Sequence, residues 1–253
     1  MLIDTHCHLD FPQFDSDREE VIRRSKEAGI DYIVNVGSSI KGSQDSLVLA
    51  KEHDFIYATV GIHPHEADNS DKEALKSVES MAGQKKVVAI GEIGLDYYKN
   101  YSQKDNQLRL FKELVVLAKE FNLPLVIHNR QAEPDTLRIL KEAMPVKAVL
   151  HCFSSGEEFL QECLKLGFFI SFTCNITYKK AQNLRRLVEL TPLERIFLET
   201  DAPFLAPEAL RGRRNEPLQV KTLAQEIAGL KREKLERVAE VTSANAKMFF
   251  GLE

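Results

Sequence analysis

The chain has only four cysteines in 253 residues, Cys7, Cys152, Cys163 and Cys174, and no two of them have C-x-x-C spacing. A disulfide framework and a cysteine-rich zinc knot are therefore not expected, and the thiols read as reduced. No stretch stays apolar for the ~20 residues that a membrane-spanning helix needs. The first residues lack the basic and apolar regions of a signal peptide, which points to the cytoplasm. No Gly-x-Gly-x-x-Gly opens a helix after a strand, which weighs against a dinucleotide-binding fold. An excess of positive charge is also missing. The 34 Lys and Arg stand against 38 Asp and Glu, a formal net charge of −4. Such a chain has no basic coat for long nucleic-acid tracks, so a polyanionic substrate must be met by a local basic patch or by metal ions. There is no low-complexity segment, Ser/Gly linker or break in composition, and a single domain over residues 1–253 is expected.

Short runs rich in Val, Ile and Phe alternate with longer amphipathic stretches. The predicted strands are Met1–Cys7, Tyr32–Val36, Ile56–Gly61, Val87–Ile93, Leu125–His128, Ala148–Cys152, Phe168–Thr173 and Ile196–Thr200. Eight strands with helical segments between them indicate repeated βα units, and the length matches the roughly 250 residues of a (β/α)8 TIM barrel. Ser70-x-x-Glu73, Ser102-x-x-Asp105 and Ser155-x-x-Glu158 read as capping boxes at helix starts. Leu108, Phe111, Leu114, Val115 and Ala118 form a helical apolar stripe that packs on the sheet. Pro217 stands near the first position of another helix, and Lys231–Phe250 is helical.

The active site of a βα barrel lies at the C-terminal ends of the strands. Six of the seven histidines fall there: His6, His8, His63, His65, His128 and His151. His53 follows a helix and reads as solvated surface. One buried histidine is usually a core residue with a satisfied hydrogen bond; six at one edge of one sheet point to a metal centre. His6 and His8 are two apart on a strand and share a face, whereas Cys7 and Cys152 fall on the opposite face by the same alternation. Adding Glu92 and Asp201 gives four imidazoles and two carboxylates as ligands: His6, His8, Glu92, His128, His151 and Asp201. This exceeds what one catalytic ion takes, because such a site keeps open positions. A carboxylate can bridge two ions. The expected arrangement places His6, His8, Glu92 and Asp201 on one metal, and Glu92, His128 and His151 on the other. Asp4 shares the parity of His6 and His8. It and Asp96 are placed to orient metal-bound histidines.

The segments Thr5-His6-Cys7-His8-Leu9-Asp10, Gly61-Ile62-His63-Pro64-His65, Gly91-Glu92-Ile93-Gly94-Leu95-Asp96-Tyr97, His151-Cys152-Phe153-Ser154, Glu199-Thr200-Asp201-Ala202-Pro203 and Arg211-Gly212-Arg213-Arg214-Asn215-Glu216-Pro217 resemble the TatD family of metal-dependent deoxyribonucleases. The resemblance spans the chain in order. It implies a TIM barrel of the metallo-dependent hydrolase superfamily and a divalent-metal nuclease with 3′→5′ exonuclease activity on DNA, single-stranded or at 3′ ends. The expected cofactors are two divalent ions, Mg²⁺, Mn²⁺ or Zn²⁺, which activate a water for attack on phosphorus. Asp201 is the expected general base. His63 either contacts the scissile phosphate or makes an outer hydrogen bond, and His65 lines the pocket. Arg130, Arg211, Arg213 and Arg214 are candidate phosphate donors, and Phe153, Tyr97 and Tyr98 candidate base-stacking groups. No membrane or obligate protein partner is expected. Two other readings stay open. One is an amidohydrolase or esterase, such as a D-aminoacyl-tRNA deacylase; the other is a non-catalytic metal-binding protein. The absence of a lysine on the fourth strand, where many amidohydrolases bridge their metals with a carboxylated lysine, favours the nuclease.

Overall fold

Val, Ile and Phe suit a pleated surface covered on both sides, and the apolar runs form the buried strands of a parallel sheet. The computed structural model describes residues 1–252. The strands are β1 (Leu2–Cys7), β2 (Ile30–Val36), β3 (Ile56–Val60), β4 (Val87–Asp96), β5 (Leu125–Arg130), β6 (Ala148–Leu150), β7 (Phe169–Phe172) and β8 (Ile196–Leu198). They are ordered β1 to β8 in one eight-stranded sheet, each parallel to the next, which is the barrel expected from the sequence. The helices between them are α1 (Arg18–Glu27), α2 (Ile40–Glu52), α3 (Lys72–Ala82), α4 (Lys104–Glu120), α5 (Glu133–Ala143), α6 (Glu157–Lys165) and α7 (Gln182–Leu190). After β8 come α8 (Val220–Lys231) and α9 (Leu235–Phe250). Among the described residues, no helix is long and apolar enough to cross a membrane.

Two apolar layers hold the barrel. The outer one packs strands against helices. It includes Leu110, Phe111, Leu114, Val115 and Ala118 of α4, with Leu108 partly buried beside them. The inner one gathers Ile3, Val34, Val36, Val126, Val149, Phe169 and Phe197, and α9 adds Phe249 and Phe250 to it. Phe197 packs against Phe169, Phe249 and Phe250 at ring-centroid separations of 4.6, 5.2 and 5.7 Å. The aromatic end of α9 thus fills one end of the barrel interior and leaves the other for polar side chains.

Regular alternation does not by itself place the histidines inside. In β1, Asp4 pairs with Ile33 and Cys7 with Asn35, so β1 spends three residue steps against two on β2. This bulge reverses the parity. Ile3 lies in the inner layer and Leu2 and Cys7 in the outer one. The shift returns His6 and His8 to the inside. Asp4 is left on the other side, which corrects the expectation that it shares their face. A second bulge does the same for Glu92: Ile90 pairs with Leu125 and Ile93 with Ile127. Glycine is required next to it. A Cβ on Gly91 would stand 2.5 Å from Val126 Cβ, and one on Gly94, where φ is +138°, would stand 2.0 Å from the His128 carbonyl oxygen.

The barrel closes between β8 and β1 through few bonds. Cys7 and Ala202 form an isolated parallel bridge. Asp201 N donates to His6 O at 2.9 Å and His8 N to Ala202 O at 2.7 Å. The buried Asp4 carboxyl spans this seam, accepting from Thr200 N at 2.9 Å and from Thr200 Oγ1 at 2.6 Å. Its role is to close the barrel and not to orient an imidazole ring.

The capping boxes are corrected. α3 starts one residue later than expected, and Asp71 caps it, accepting from Glu73 N at 3.0 Å and Ala74 N at 2.9 Å. The three serines instead join loops: Ser70 Oγ donates to Glu66 O, Ser102 Oγ to His65 O and Ser155 Oγ to Glu133 Oε1. The final helical stretch is interrupted at Arg232, whose φ is +55°, before α9 begins at Leu235. His53 is partly buried against Phe55, with Nε2 3.5 Å from Glu19 Oε1, and is not a freely solvated residue.

Asp4→Ala leaves the Thr200 donors without an acceptor in a buried seam. It is expected to cost on the order of 3 kcal/mol, read as a lower urea midpoint with an unchanged slope.

Candidate metal centre

Glu92 lies at the end of the barrel interior opposite α9, and its two oxygens face two separate sets of side chains. Oε2 is 3.6 Å from His6 Nε2 and 3.8 Å from His8 Nε2. Oε1 is 2.7 Å from His151 Nε2, 3.0 Å from His128 Nδ1 and 3.5 Å from His63 Nε2. Asp201 Oδ1 joins the first set, 3.8 Å from His6 Nε2 and 3.5 Å from His8 Nε2. Asp201 itself has φ +54°, a conformation uncommon for a residue with a side chain. The structure therefore brings together His6, His8, Glu92, His128, His151 and Asp201, with His63 beside them.

The donor set fits divalent ions. Two imidazole nitrogens bound tetrahedrally at roughly 2.0–2.1 Å from one zinc ion stand about 3.3 Å apart. His6 Nε2 and His8 Nε2 are 3.2 Å apart, and His128 Nδ1 and His151 Nε2 are 3.3 Å apart. Two of the rings are fixed from behind. His8 Nδ1 is 2.8 Å from the Val36 carbonyl, which can only accept, so Nδ1 keeps its proton and Nε2 is the nitrogen that is freed for metal when the ring becomes neutral. His128 Nε2 is 3.2 Å from Asp96 Oδ2, which turns Nδ1 toward Glu92. Asp96 also holds His65 Nε2 at 2.9 Å and accepts from Tyr98 N and Lys99 N. His63 differs. Its Nδ1 accepts from His65 N at 3.2 Å, so the neutral ring carries its proton on Nε2, facing Glu92.

Charge compensates burial at Glu92, Asp201 and His8, but not at His63. Burial pushes Glu92 up, but His151, His63 and His128 outweigh it and hold its carboxyl well below the usual range. Burial likewise opposes ionisation of Asp201, and His8 and His6 bring it below its ordinary value. Burial lowers His8, yet Asp201 and Glu92 raise it to about 9. His63 is dominated by burial and falls to about 4, a neutral imidazole near pH 7.

Other predicted residues divide. Arg130 is exposed, its guanidinium 4.1 Å from the Tyr98 ring centroid. Among the described residues no carboxylate pairs with it. Arg211 lies 4.6 Å from the Tyr178 ring centroid and 3.6 Å from Glu208, and Arg213 is exposed. His65 borders the site through Asp96. Two expectations are corrected. Phe153 is buried and stacked on Phe159 at 5.7 Å, because its ring completes the core behind β6. Arg214 is tied to Asp17 at 2.6 and 2.7 Å and to Glu216 at 3.2 Å, so its fork is already filled. Cys7 faces away from the site toward Asn35, as expected. Cys152 lies beyond the end of β6 with φ +45°, where strand alternation no longer applies. Burial, then Asp201 and Glu199, push its thiol well above the ordinary value. The sequence reading missed Phe204, which is 46% exposed. Its place three residues after Asp201 was the available signal. Phe11 links it to the site, stacked on His8 at 4.5 Å and 6.0 Å from Phe204.

A (β/α)8 barrel with imidazoles and carboxylates converging at the C-terminal ends of its strands defines a metal-dependent hydrolase. The family model described as TatD related DNase matches residues 3–251. An uncharacterized metal-dependent hydrolase of Bacillus subtilis, YabD, is 44% identical over 99% of each chain. A 3′-5′ ssDNA/RNA exonuclease, TatD of Erwinia amylovora, is 38% identical over 99% of this chain and 100% of its own. The crystal structure of YjjV, a TatD homologue from Escherichia coli K12, superposes with a TM-score of 0.94 at 31% identity, covering 100% of this chain and 98% of that one. The chain belongs to the TatD family.

Two outcomes follow from this geometry. Arg214 holds Asp17 down at about 2. A folded-state value below the unfolded ~3.9 stabilises the protein above that pH and is lost as pH falls toward the folded value. The stability difference between wild type and Arg214→Ala, from urea melts, is therefore expected to be full at pH 6 and to shrink between about pH 4 and 2. For the metal centre, ligation needs a bare imidazole nitrogen, so uptake displaces the His8 proton. Apparent Zn²⁺ or Mn²⁺ affinity is expected to rise from pH 6 toward 9, and EDTA treatment to lower the melting temperature until metal is restored.

Proposed function

We propose that the protein hydrolyses phosphodiester bonds of single-stranded DNA, removing nucleotides from the 3′ end with two divalent ions. The observation that carries this reading is the division of Glu92: Oε2 faces His6 and His8, while Oε1 faces His128 and His151. One carboxylate between two imidazole pairs suits two ions that share a bridging ligand. The 38% identical Erwinia relative named as a 3′-5′ ssDNA/RNA exonuclease supports the substrate class.

Bound divalent ions supply positive charge that offsets the growing charge on the phosphoryl oxygens, and they acidify water. The chain supplies the rest. Asp201 is anionic, and its side chain is 16% exposed against 5% for Glu92, so it can meet water from the mouth of the barrel. It accepts the proton that the attacking water loses. His63, neutral with Nε2–H toward the site, donates a hydrogen bond to a phosphoryl or leaving oxygen. Arg130 and Arg213 offer guanidinium forks to flanking phosphates. Tyr98 and Phe204, both exposed, offer ring faces to bases, a contact tolerant of sequence.

The test is a time course on 5′-labelled single-stranded DNA. Stepwise shortening from the 3′ end is expected, abolished by EDTA and restored by Mg²⁺, Mn²⁺ or Zn²⁺. Asp201→Asn is expected to lower the rate by about 10²–10⁴-fold, and Glu92→Ala to remove turnover. Release of D-amino acid from charged tRNA without shortening of DNA overturns the reading.

A further inference from the structure

Glu199 is a buried acid that the proposed chemistry does not use. It stands two residues before Asp201, and both of its oxygens are held by the protein. Cys152 N donates to Oε1 at 2.6 Å, and Ser171 Oγ donates to Oε2 at 2.7 Å. Directly opposite are two buried ring nitrogens with no hydrogen-bond partner, His6 Nδ1 and His151 Nδ1. Oε2 is 4.0 Å from His6 Nδ1 and Oε1 is 3.6 Å from His151 Nδ1. The two rings stack at 4.1 Å with planes 13° apart, so their Nδ1 edges reach one carboxylate side by side.

A buried polar atom without a partner is costly, and a carboxylate oxygen can accept more than one donor. Each Glu199 oxygen has one donor and can take another. The opposite tautomer would aim an Nδ1 lone pair at carboxylate oxygen and put a proton on the Nε2 that faces Glu92. His8 and His128 already have a backbone carbonyl and a carboxylate behind them. Among the described residues, His6 and His151 have only Glu199 behind them.

We infer that Glu199 is a shared positioning residue, accepting Nδ1–H from His151 on one oxygen and from His6 on the other, so that both Nε2 atoms stay bare for metal. His6 belongs to one imidazole pair and His151 to the other, so this one carboxylate orients a ligand in each half of the centre. The inference rests on the reading that these imidazoles bind metal through Nε2. It does not depend on which bond the protein cleaves. Outer carboxylates of this kind typically contribute 10–100-fold in metal affinity.

The experiment uses the full chain and its Glu199→Gln variant, which keeps the shape but replaces one acceptor oxygen by a donor. Long-range ¹H–¹⁵N spectra of the zinc-loaded, ¹⁵N-histidine-labelled protein are expected to show slowly exchanging Nδ1–H protons on His6 and His151. These protons are expected to exchange faster in the variant. Calorimetric titration with Zn²⁺ is expected to show a 10–100-fold weaker affinity with the same number of ions bound. Nε2–H on either ring in the wild type, unchanged affinity in the variant, or loss of one bound ion, which would make Glu199 a direct ligand, each overturns the inference. If the variant does not fold, the wild-type spectrum decides. None of these readouts involves nucleic acid, so a negative nuclease assay and a negative result here are separate findings.

Discussion

The structure depends on one buried carboxylate shared between two imidazole pairs. Glu92 is nearly inaccessible to solvent, and an isolated charge at such a place would be neutralised by a shift in its pKa. It stays anionic because His151, His63 and His128 surround it, and two of those rings are in turn held by carboxylates, His128 by Asp96 and Glu92 and His151 by Glu92 and Glu199. The same density of donors, with pairs of ring nitrogens 3.2 and 3.3 Å apart, makes the cluster a receptor for cations when protons leave.

Backbone irregularity makes that convergence possible. A regular β1 would carry Ile3 and Thr5 inward and turn His6 and His8 toward the helices. The extra residue between Asp4 and Cys7 reverses this. The extra residue between Ile90 and Ile93 does the same for Glu92, and Gly91 lets β4 approach Val126 of β5 closely enough for Glu92 and His128 to meet. The seam between β8 and β1 is closed by few backbone bonds, and the side chain that ties it, Asp4, is adjacent to the ligands it serves. The site and the closure of the barrel are therefore one mechanical unit.

Much of this was legible beforehand, for identifiable reasons. The eight strands are short apolar runs with clear boundaries, and each appears within a few residues of its predicted place. The six proposed ligands were visible because polar residues at the ends of apolar runs are rare enough to be read as a set. What was not legible depended on partners distant in sequence. Ser70, Ser102 and Ser155 had capping spacing, but loop carbonyls and carboxylates claimed their hydroxyls. Arg214 looked available for phosphate until Asp17, 197 residues away, filled its guanidinium. Phe153, next to His151, was a candidate base-stacking group, yet the chain turns it onto Phe159. Glu199 had no readable role because its significance lies in two ring nitrogens contributed by β1 and by the turn after β6.

The sequence by itself determined the repeating βα order, the apolar faces and the chemical identity of the cluster, since periodicity and residue type are local properties. Only the tertiary structure decided parity and partnership. Strand alternation predicts a face only while the ladder is regular, and two single-residue bulges were enough to invert it. The outward ring nitrogens of His6, His8, His128 and His151 are likewise set by atoms on other strands and loops: Glu199, the Val36 carbonyl and Asp96. Those contacts exist only once the barrel has closed.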